Sequence, residues 1–564
     1  MKRLMLTLVF VSFMWFASIP YPKVQAVDVS TNVYIRANGS IDPQTAPIST
    51  TDNITYTFTG NITFTDIRRI AIERSNIVID GNGYTFRGAS TGGGAGLWIN
   101  NTNNVNNVTI KNLNIQNFYI GVALGNSSNN IIHGNNITDN NIGVELNTFS
   151  KFNSIYGNNM TRNFNSGISL QGASNNTISS NSFRNSGAGI VLSEGSDNNT
   201  ISGNTIMDNN WGISVESSTH NTISGNTLNN NSLYGFNIAG YSNFNSISEN
   251  DVIDSDEGIR LYEFTAYNTI SENNISYNTD GVTLYRSSSN DFVGNTFTNN
   301  TANAIILDSS SDWNNILQNT MAYSSIGINA RNSQYLTISA NNITGCTDDS
   351  NGAIEFDACS NSIIQGNEIT FNIGSGIYFY SSSNNNEISG NRVTNNGYFG
   401  IALTTTSNFN NITGNDASYN YNAGVYLESC SNNIVVANNL ASNYHGVWLT
   451  EESNTNQIFH NNFVNSLTEN AFVSASSTDN LWDNGYPSGG NYWSDYVGLD
   501  VNHDGIGDVP YIVDLLNQDH YPLVDLYPTI PEFSPIMLLS LLLLASVFLA
   551  VLLRKSKSPV GVRE

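Results

Sequence analysis

The stretch Thr200-Ile-Ser-Gly-Asn204, continuing to Val215, decides the fold of this 564-residue chain because close copies of it recur along the sequence. Thr222-Ile-Ser-Gly-Asn226 and Glu387-Ile-Ser-Gly-Asn391 repeat its first half. The terminal Asn returns about every 23 residues, at Asn112, Asn135, Asn158, Asn181, Asn204, Asn226, Asn250, Asn273, Asn295, Asn319, Asn341, Asn367, Asn391, Asn415, Asn438 and Asn461. A period of this length is typical of a solenoid, in which each repeat packs only on its neighbours.

A second landmark follows in each repeat and indicates β-strands. In Gly143-Val-Glu-Leu146 and Gly281-Val-Thr-Leu284 the apolar residues alternate with period two, and Asn and Ser clusters mark turns between such segments. Stacking the repeats at about 4.8 Å would pair the backbone of each coil with the next. The sequence therefore predicts an all-β, right-handed parallel β-helix of about 16 coils, in which the repeated Asn side chains form an amide ladder along the axis. Leucine-rich repeats have a similar length, but their Leu spacing and helical segment are absent from this sequence.

The composition excludes several classes of protein. The chain has 20 Lys and Arg against 45 Asp and Glu, a net charge of −25, which argues against nucleic acid as a partner. Intrinsic disorder is disfavoured because 39% of residues are hydrophobic, 11% are aromatic and only 12% are charged. The three Cys exclude a disulfide scaffold.

The two ends predict export and a membrane anchor. Lys2 and Arg3 precede an apolar run to Phe16, and a plausible cleavage site follows Ala26, so residues 1–26 are predicted to be a signal peptide. Residues 536–553 form an uncharged apolar run long enough for a transmembrane helix, and the basic residues of 554–564 should keep that tail in the cytoplasm. Pro531-Glu-Phe533 with this run resembles the PEF-type sorting signals of archaeal and bacterial surface proteins, which are replaced by a lipid anchor. Either anchor places the body outside the cell.

Family resemblance covers most of the remaining chain. Asn76-Ile-Val-Ile-Asp-Gly-Asn-Gly83 resembles the opening coil of β-helix proteins that handle polysaccharides. From there to Asn465 the repeats resemble those of the carbohydrate-binding and sugar-hydrolase (CASH) group, which includes the NosD-type periplasmic proteins. This resemblance implies an N-terminal cap and first coils at 27–106, regular coils at 107–470 and a C-terminal cap at 471–530. It leaves the activity open, because the scaffold hosts lyases, hydrolases, epimerases, adhesins and maturation factors.

Acidic residues are the first candidates for chemistry. The repeat places Glu257 beside Asp280 on adjacent coils, with Asp256 next to them, and it aligns Glu263 with Arg286. Carboxylates can act as acid and base on a glycan, and Arg can hold an acidic sugar. The alternative interpretations are a solvated coil edge with a weak surface ion pair, or a groove that binds glycan without cleaving it.

Aromatic residues at outward strand positions are candidates for sugar binding. Tyr262 and Tyr285 align on the same two coils, and Tyr378, Tyr426 and Trp448 occupy later ones. Such rings can stack on sugars, but aromatic residues are also favoured in strands for packing alone.

Copper is considered because NosD-type proteins are described as copper-binding maturation factors. The six His form no close cluster in the sequence. The repeat puts Cys359 and Cys430 three coils apart, about 14 Å, too far to share a metal, and Cys346 has no evident partner. We therefore expect no copper site, and we interpret the thiols as small buried or turn residues.

Calcium is predicted near the C-terminus. Gly490 to Asp508 resembles a tail that recurs in archaeal NosD-type proteins, and its last nine residues resemble an EF-hand-type or dockerin-type loop. Side-chain ligands would be Asp500, Asn502, Asp504 and Asp508, with the Ile506 carbonyl between them and Gly505 at the sharp turn. The twelfth position is Tyr511 and not the expected Glu, so we expect a structural ion of modest affinity. The alternative is a plain Asp-Gly turn.

Together these features predict an exported β-helix protein, anchored at the cell surface, that binds polysaccharide. We expect binding without cleavage because the repeats are regular and no coil carries an unmistakable catalytic set. The alternatives are a polysaccharide lyase or glycoside hydrolase acting on acidic glycans, a structural or adhesive surface rod, and a NosD-like copper maturation factor. Sequons such as Asn136-Ile-Thr138 would permit glycosylation outside the cell.

Overall fold

The structure, a computed structural model, describes residues 27–89, 93–99 and 105–528. The predicted signal peptide, transmembrane helix and basic tail lie outside the described residues. Within the described ranges, no helix is both long and apolar enough to cross a membrane.

The described chain is a right-handed parallel β-solenoid of about 18 turns, which confirms the predicted all-β parallel β-helix. Each regular turn contributes one strand to each of three parallel sheets. Sheet 1 contains the Gly landmark, and its strands are Val33–Ile35, Ile70–Ile72, Ala95–Ile99, Ile120–Leu124, Ile142–Leu146, Ser166–Gln171, Ala188–Ser193, Trp211–Glu216, Tyr234–Ala239, Glu257–Tyr262, Asp280–Tyr285, Asn303–Asp308, Ile326–Arg331, Gly352–Asp357, Ser375–Tyr380, Ile401–Leu403, Ala423–Glu428, His445–Thr450 and Glu469–Val473.

Sheets 2 and 3 follow sheet 1 in each turn. Sheet 2 comprises Thr55–Phe58, Ile77–Asp80, Val108–Lys111, Ile131–His133, Ser154–Tyr156, Thr177–Ser179, Thr200–Ser202, Thr222–Ser224, Ser246–Ser248, Thr269–Ser271, Asp291–Val293, Asn315–Leu317, Thr337–Ser339, Ile363–Gln365, Glu387–Ser389, Asn411–Thr413, Ile434–Val436 and Gln457–Phe459. Sheet 3 comprises Val27–Asp28, Ile62–Thr63, Thr85–Arg87, Asn114–Gln116, Asn136–Thr138, Asn159–Thr161, Ser182–Arg184, Thr205–Met207, Thr227–Asn229, Asp251–Ile253, Asn274–Ser276, Thr296–Thr298, Thr320–Ala322, Asn342–Thr344, Glu368–Thr370, Arg392–Thr394, Asn439–Ala441, Asn462–Val464 and Tyr492–Trp493.

Inward side chains form one continuous core along the axis. Ile178, Ile201 and Ile223 lie in register on successive strands of sheet 2 and are fully buried. Burying each such side chain contributes about 1.5–3 kcal/mol. The Gly landmark has a steric cause: a Cβ on Gly189 would lie 2.6 Å from Ile206 Cγ2 and 2.7 Å from the Gly212 carbonyl oxygen. Glycine therefore allows the start of the sheet 1 strands to pack tightly on the next turn.

Buried amides form the ladder between sheets 2 and 3. Asn204 donates its backbone N–H and its side-chain Nδ2 to the Asn226 side-chain oxygen, both at 2.9 Å. The column runs without interruption through Asn135, Asn158, Asn181, Asn204, Asn226, Asn250, Asn273, Asn295, Asn319, Asn341, Asn367, Asn391, Asn415, Asn438, Asn461 and Asn491. Asn112 is one position off this column. Leu113 occupies the ladder place and donates its N–H to the Asn135 side chain.

Two further ladders, not predicted from the sequence, stand at the other corners. Asn199 donates to the Asn221 side chain between sheets 1 and 2, and Asn278 donates to the Asn300 side chain between sheets 3 and 1. Ser and other small residues replace Asn in several turns of these columns, as where Ser186 accepts from the Asn163 N–H. Each ladder position in the regular turns follows a residue with left-handed backbone, such as Asn198 at φ 57°.

The ends depart from the repeat and account for the turns beyond the 16 predicted. At the start, Ile41–Asp42 pairs antiparallel with Val33–Ile35, and Ile48–Ser49 with Thr55–Phe58, so the first turns carry no Asn signature. At the other end an antiparallel hairpin joins Tyr511–Ile512 to Gln518–Asp519. The last ladder residue, Asn491, donates its N–H to Asp519 at 2.7 Å, and the Trp493 indole donates to the same carboxylate oxygen at 2.8 Å.

Candidate functional site

The outward face of sheet 1 has an unusually buried floor. The fourth residue of each regular strand alternates with core residues and therefore points away from the core. Yet Ser214, Asn329 and Glu355 are only 0%, 1% and 2% exposed. Neighbouring side chains cover these positions, and we call this outward face of the sheet the sheet 1 groove.

Unpartnered polar atoms concentrate in this groove. Among the described residues, eleven buried side-chain polar atoms have no hydrogen-bond partner in the protein. Six belong to strands of sheet 1: Ser166 Oγ in an early turn and, from Glu257 to Trp448, the five atoms Glu257 Oε2, Thr283 Oγ1, Asn303 Oδ1, Glu355 Oε2 and Trp448 Nε1. Buried polar groups in proteins are normally hydrogen-bonded, so their concentration on one face makes that face the candidate site.

A carboxylate cluster occupies the middle of the groove. Glu257 and Asp280 are paired residues on adjacent strands. Asn303, on the next strand, donates its N–H and its Nδ2 to Asp280 Oδ1 at 3.0 and 2.8 Å. Burial raises the pKa of Glu257 above its usual value, the Arg260 guanidinium opposes this shift, and the Asp280 charge adds to it. The cluster thus combines one carboxyl that favours its neutral form with a second that is held by amide donors.

Arg260, which the sequence reasoning missed, supplies the cation of this cluster. Its Nε lies 3.8 Å from Glu257 Oε2, and its Nη1 donates to the Tyr234 hydroxyl at 2.8 Å. The guanidinium also lies 4.1 Å from the centre of the Tyr262 ring. Strict alternation would place Glu257 and Arg260, three residues apart, on opposite faces of the strand, so the sequence pattern gave no signal for this contact.

The other predicted residues of this region lie at its edge. Arg286 is exposed, has left-handed backbone at φ 50°, and packs over the Tyr285 ring at 5.2 Å. Among the described ion pairs, none joins Arg286 to Glu263. Asp256 is exposed in the corner before the strand, where its carbonyl accepts the Asp280 N–H. Tyr262 and Tyr285 stack with ring centres 5.3 Å apart.

An aromatic cluster occupies the later turns of the groove. Phe399, in the corner before Ile401–Leu403, stacks on Tyr426 with ring centres 4.1 Å apart. Trp448 meets Tyr426 edge-on at 5.3 Å, and Tyr378 packs on the same group. These three predicted aromatic residues are half-buried, so packing uses part of each ring. Beside Trp448 lies a cavity of about 710 Å³, walled by Tyr419, Tyr421, Tyr444 and Leu467 with neighbouring Asn side chains.

Glu355 links the two parts of the groove. It is paired with Asn329 on one side and with Tyr378 on the other. Burial raises the pKa of Glu355, and hydrogen bonding to the Tyr380 hydroxyl opposes that shift. Burial therefore disfavours the charged form of Glu355 on the groove floor.

The cysteines stand at ladder positions. Cys359 and Cys430 donate their backbone N–H to Ser383 and Ser453 in a column of mostly Ser side chains, and Cys346 donates to the Asn372 side chain. All three thiols are free and buried, and burial raises the pKa of each to about 12. Soft metals bind the thiolate, so these protonated thiols are poor copper ligands. Among the described residues, no group of three or more His, Cys, Asp or Glu is placed so that it could hold a metal ion.

The Asp-rich loop is closed by its own hydrogen bonds. Asp500 accepts the Gly505 N–H at 2.9 Å, and Asp508 accepts the Val501 N–H at 2.7 Å. Asn502 donates its amide to Asp504 at 2.9 Å. Gly505 has φ +88°, as the sharp turn requires, and Ile506 is buried. The Asp side chains of this loop are not brought together into a group of three that could hold a metal ion.

Comparison with known proteins identifies the family of this chain. The model of NosD, described as a periplasmic copper-binding protein, matches residues 26–234, 165–315, 238–351 and 316–498. The chain belongs to the NosD family. No curated protein matches this NosD-family chain.

Several solved structures match the chain at low sequence identity. The Dettilon tailspike protein (gp208) is 14% identical with a TM-score of 0.36, covering 59% of this chain, which spans 64% of the tailspike. The tailspike protein of E. coli bacteriophage HK620, a mutant in complex with a pentasaccharide, is 13% identical with a TM-score of 0.34, covering 63% and 68%. A mutant of the periplasmic alginate epimerase AlgG is 15% identical with a TM-score of 0.25, covering 77% and 80%.

Proposed function

We propose that this NosD-family protein binds a polysaccharide chain along the sheet 1 groove. The observation that carries the proposal is the set of five buried, unpartnered polar atoms on the groove floor. A glycan presents hydroxyl groups along its length, and these can both donate to and accept from such atoms. The groove from Glu257 to Trp448 crosses nine strands, about 38 Å, which gives room for several sugar units.

The two parts of the groove suggest separate roles. Arg260, between Tyr234 and Tyr262, can donate to a sugar oxygen or a carboxylate. The cluster of Phe399, Tyr426 and Trp448 offers apolar surface to sugar ring faces. We therefore assign orientation of the glycan to the part around Arg260 and most of the binding affinity to the aromatic cluster.

Retention of the full-length protein on immobilised uronate and neutral polysaccharides tests the proposal. We expect Arg260→Ala and Trp448→Ala each to weaken binding about tenfold, the loss of one good contact. Tyr156→Ala is the matched control, since Tyr156 lies on a strand of sheet 2 and is 38% exposed. Failure of every polysaccharide to bind, or equal loss in the control, would refute the groove.

A second candidate function, cleavage of an acidic glycan, is favoured by one observation. Burial and Asp280 together raise the pKa of Glu257, which suits a general acid beside a second carboxylate. Cleavage would produce new reducing ends or unsaturated sugars from the polysaccharides above. Glu257→Gln should abolish these products, whereas Glu145→Gln, at a buried outward position of an earlier strand, should not. Absence of products from the native protein would leave binding as the function.

We propose that the protein acts outside the cytoplasm, tethered at its C-terminus. The periplasmic description of the family and the apolar run at 536–553 support this location. Deletion of residues 531–564 should release the protein from washed membranes into the soluble exported fraction. Detection of the deleted form only on membranes would contradict the tether. Archaeal origin stays a prediction.

We propose that the Asp500–Asp508 loop binds one structural calcium ion that stabilises the C-terminal cap. The spacing of its oxygen side chains and the turn at Gly505 support the proposal. Calorimetry should show calcium binding and a calcium-dependent rise in Tm, both lost in Asp504→Ala. The same effects should persist in Asp479→Ala, an exposed turn residue outside the loop. No heat and no rise in Tm with the native protein would refute the site.

A further inference from the structure

One corner of the solenoid carries a column of residues with left-handed backbone. These residues lie between sheets 1 and 2, each directly before a ladder position, with φ between 56° and 60°. The column, which we call the corner column, consists of Asn129, Phe152, Asn175, Asn198, His220, Phe244, Tyr267, Ser289, Trp313, Tyr335, Asn361, Asn385, Phe409, Asn432, Thr455 and Asp479.

The fold does not explain the rings of this column. Left-handed backbone favours Asn and disfavours bulky side chains, and Asn fills the column in six turns. Phe244, Tyr267 and Trp313 are nevertheless aromatic, and they are 52%, 58% and 57% exposed. Rings that are strained at the backbone and mostly exposed to solvent contribute little to folding. Strained residues of this kind point to a function.

The rings form two stacks separated by one turn. Phe244 and Tyr267 stack with centres 5.1 Å apart and planes 7° apart, and Trp313 and Tyr335 stack at 4.1 Å and 8°. Ser289 lies between the stacks: Tyr267 donates its N–H to the Ser289 carbonyl, and Ser289 donates its N–H to the Asp312 carbonyl, both at 2.9 Å. Tyr267 and Trp313 are thus two turns apart, about 9.6 Å.

We propose that the slot over Ser289, between the Tyr267 and Trp313 rings, binds one pyranose ring of a glycan. A ring held midway would lie about 4.8 Å from each aromatic ring, within the normal range for ring stacking. Both apolar faces of the sugar would then be covered, and its hydroxyl rim would face outward.

The surroundings of the slot fit a sugar better than a flat aromatic group. Ser288 and Ser289 stand at its base, Asp312 lies one turn further, and Arg286 is exposed in the same turn as Ser289. These groups can hydrogen-bond a hydroxyl rim, which an aromatic side chain lacks. The slot shares none of its residues with the sheet 1 groove, so it is a second glycan contact beyond the proposed function.

Tryptophan fluorescence of the full-length Trp448→Phe protein, which lacks the Trp448 indole of the sheet 1 groove, reports on the slot. Titration with cellohexaose, mannohexaose and oligogalacturonate should change the emission with at least one of them. Ser289→Phe should fill the slot and weaken binding of that sugar about tenfold while the protein still folds, since Phe already occupies the column at three positions. Asn432→Phe, in the same column beside the single ring of Phe409, is the matched control and should bind normally.

Two more variants make the result unambiguous. Trp313→Phe keeps a ring, so calorimetry should still detect the sugar while the emission change disappears. If Ser289→Phe does not fold, Trp313→Ala replaces it and should weaken binding to a similar extent. Unchanged affinity in the filled or ring-deleted variant, or binding of phenyl compounds with no sugar bound, overturns the slot. Arg260→Ala tests the groove separately, because it leaves the slot intact.

Discussion

Replacing Asn226 by Leu is the most direct test of what holds the solenoid together. Its side-chain oxygen accepts two donors from Asn204, and its amide donates to the Ile201 carbonyl at 3.0 Å and to the Asn250 side chain at 3.0 Å. The side chain is only 1% exposed. Leucine has nearly the same size but can neither accept nor donate. Asn226→Leu therefore leaves at least two buried backbone groups, the Asn204 N–H and the Ile201 carbonyl, without these partners.

The expected cost follows from these two groups. Each buried group left without a partner costs about 1–3 kcal/mol, and burial of the leucine side chain returns about 1.5–3 kcal/mol. We expect the free energy of unfolding to fall by about 2–4 kcal/mol in total, since the hydrogen bonds to the Asn side chains of both neighbouring turns are broken as well. Asn342→Leu makes the same chemical change at an exposed strand position and should cost less than about 0.5 kcal/mol.

Hydrogen exchange is the right assay because each turn contacts only its neighbours, so the damage should be local. Peptides covering residues 200–250 should exchange faster in Asn226→Leu, whereas those covering 400–450 should not. Urea unfolding should show the corresponding loss of stability. If exchange and the unfolding midpoint equal those of the Asn342→Leu control, the ladder does not stabilise the fold.

Three further predictions concern other positions. Burial raises the pKa of Asp519 to about 6, so its protonated form favours the folded state, and that stability is lost as pH rises from about 4 to 6. In urea unfolding, the free energy of unfolding of the native protein should therefore fall by up to about 3 kcal/mol between pH 4 and pH 7, relative to that of Asp519→Asn. A difference between the two proteins that does not change with pH would contradict this. Cys359→Ser should change the free energy of unfolding by less than about 1 kcal/mol, because Ser occupies most positions of the column that contains Cys359. A larger fall in Tm would show that the thiol has a role that Ser cannot fill. Gly189→Val should cost at least about 1–3 kcal/mol, since its side chain would collide with Ile206 and the Gly212 carbonyl; an unchanged Tm would refute the packing argument.

The fold was predictable because a solenoid repeats its constraints. One invariant Asn per repeat gave the period, and the period alone aligns Glu257 with Asp280 and Tyr262 with Tyr285, as the strands do. The other two ladders escaped prediction because Ser, Cys and other small residues share their columns, as at Ser186 and Cys346. Such substitutions preserve the backbone geometry but make the repeat harder to recognise in the sequence. The misplacement of Asn112 has a similar cause, since Asn is also favoured at the left-handed corner directly before each ladder position.

The site was less predictable because alignment between turns does not say where a side chain points. Glu263 and Arg286 share a register, but both have left-handed backbone at a corner, outside the strands. Arg260 shares its strand with Glu257, but strict alternation would separate residues three apart, so the ion pair could not be predicted from the strand pattern. Exposure was also hidden from the sequence: Phe399 half-covers Tyr426 and Trp448 from a corner position that no strand pattern identifies.

In a repeat protein of this kind, we expect function at positions where the residue differs from the usual residue of its column and the fold does not require the difference. Inward and ladder positions are fixed by the core and the amide columns, so they carry no freedom to bind a ligand. Outward strand positions and left-handed corners are free to vary, and Asn and small residues are their default. Between Tyr234 and Tyr335, the outward strand positions and the corner positions both differ from these usual residues. Arg260 and Tyr residues occupy the strands, and Tyr267 and Trp313 occupy the corner. Because these departures lie on neighbouring surfaces of the same turns, we expect contacts to a single glycan to map to this stretch first.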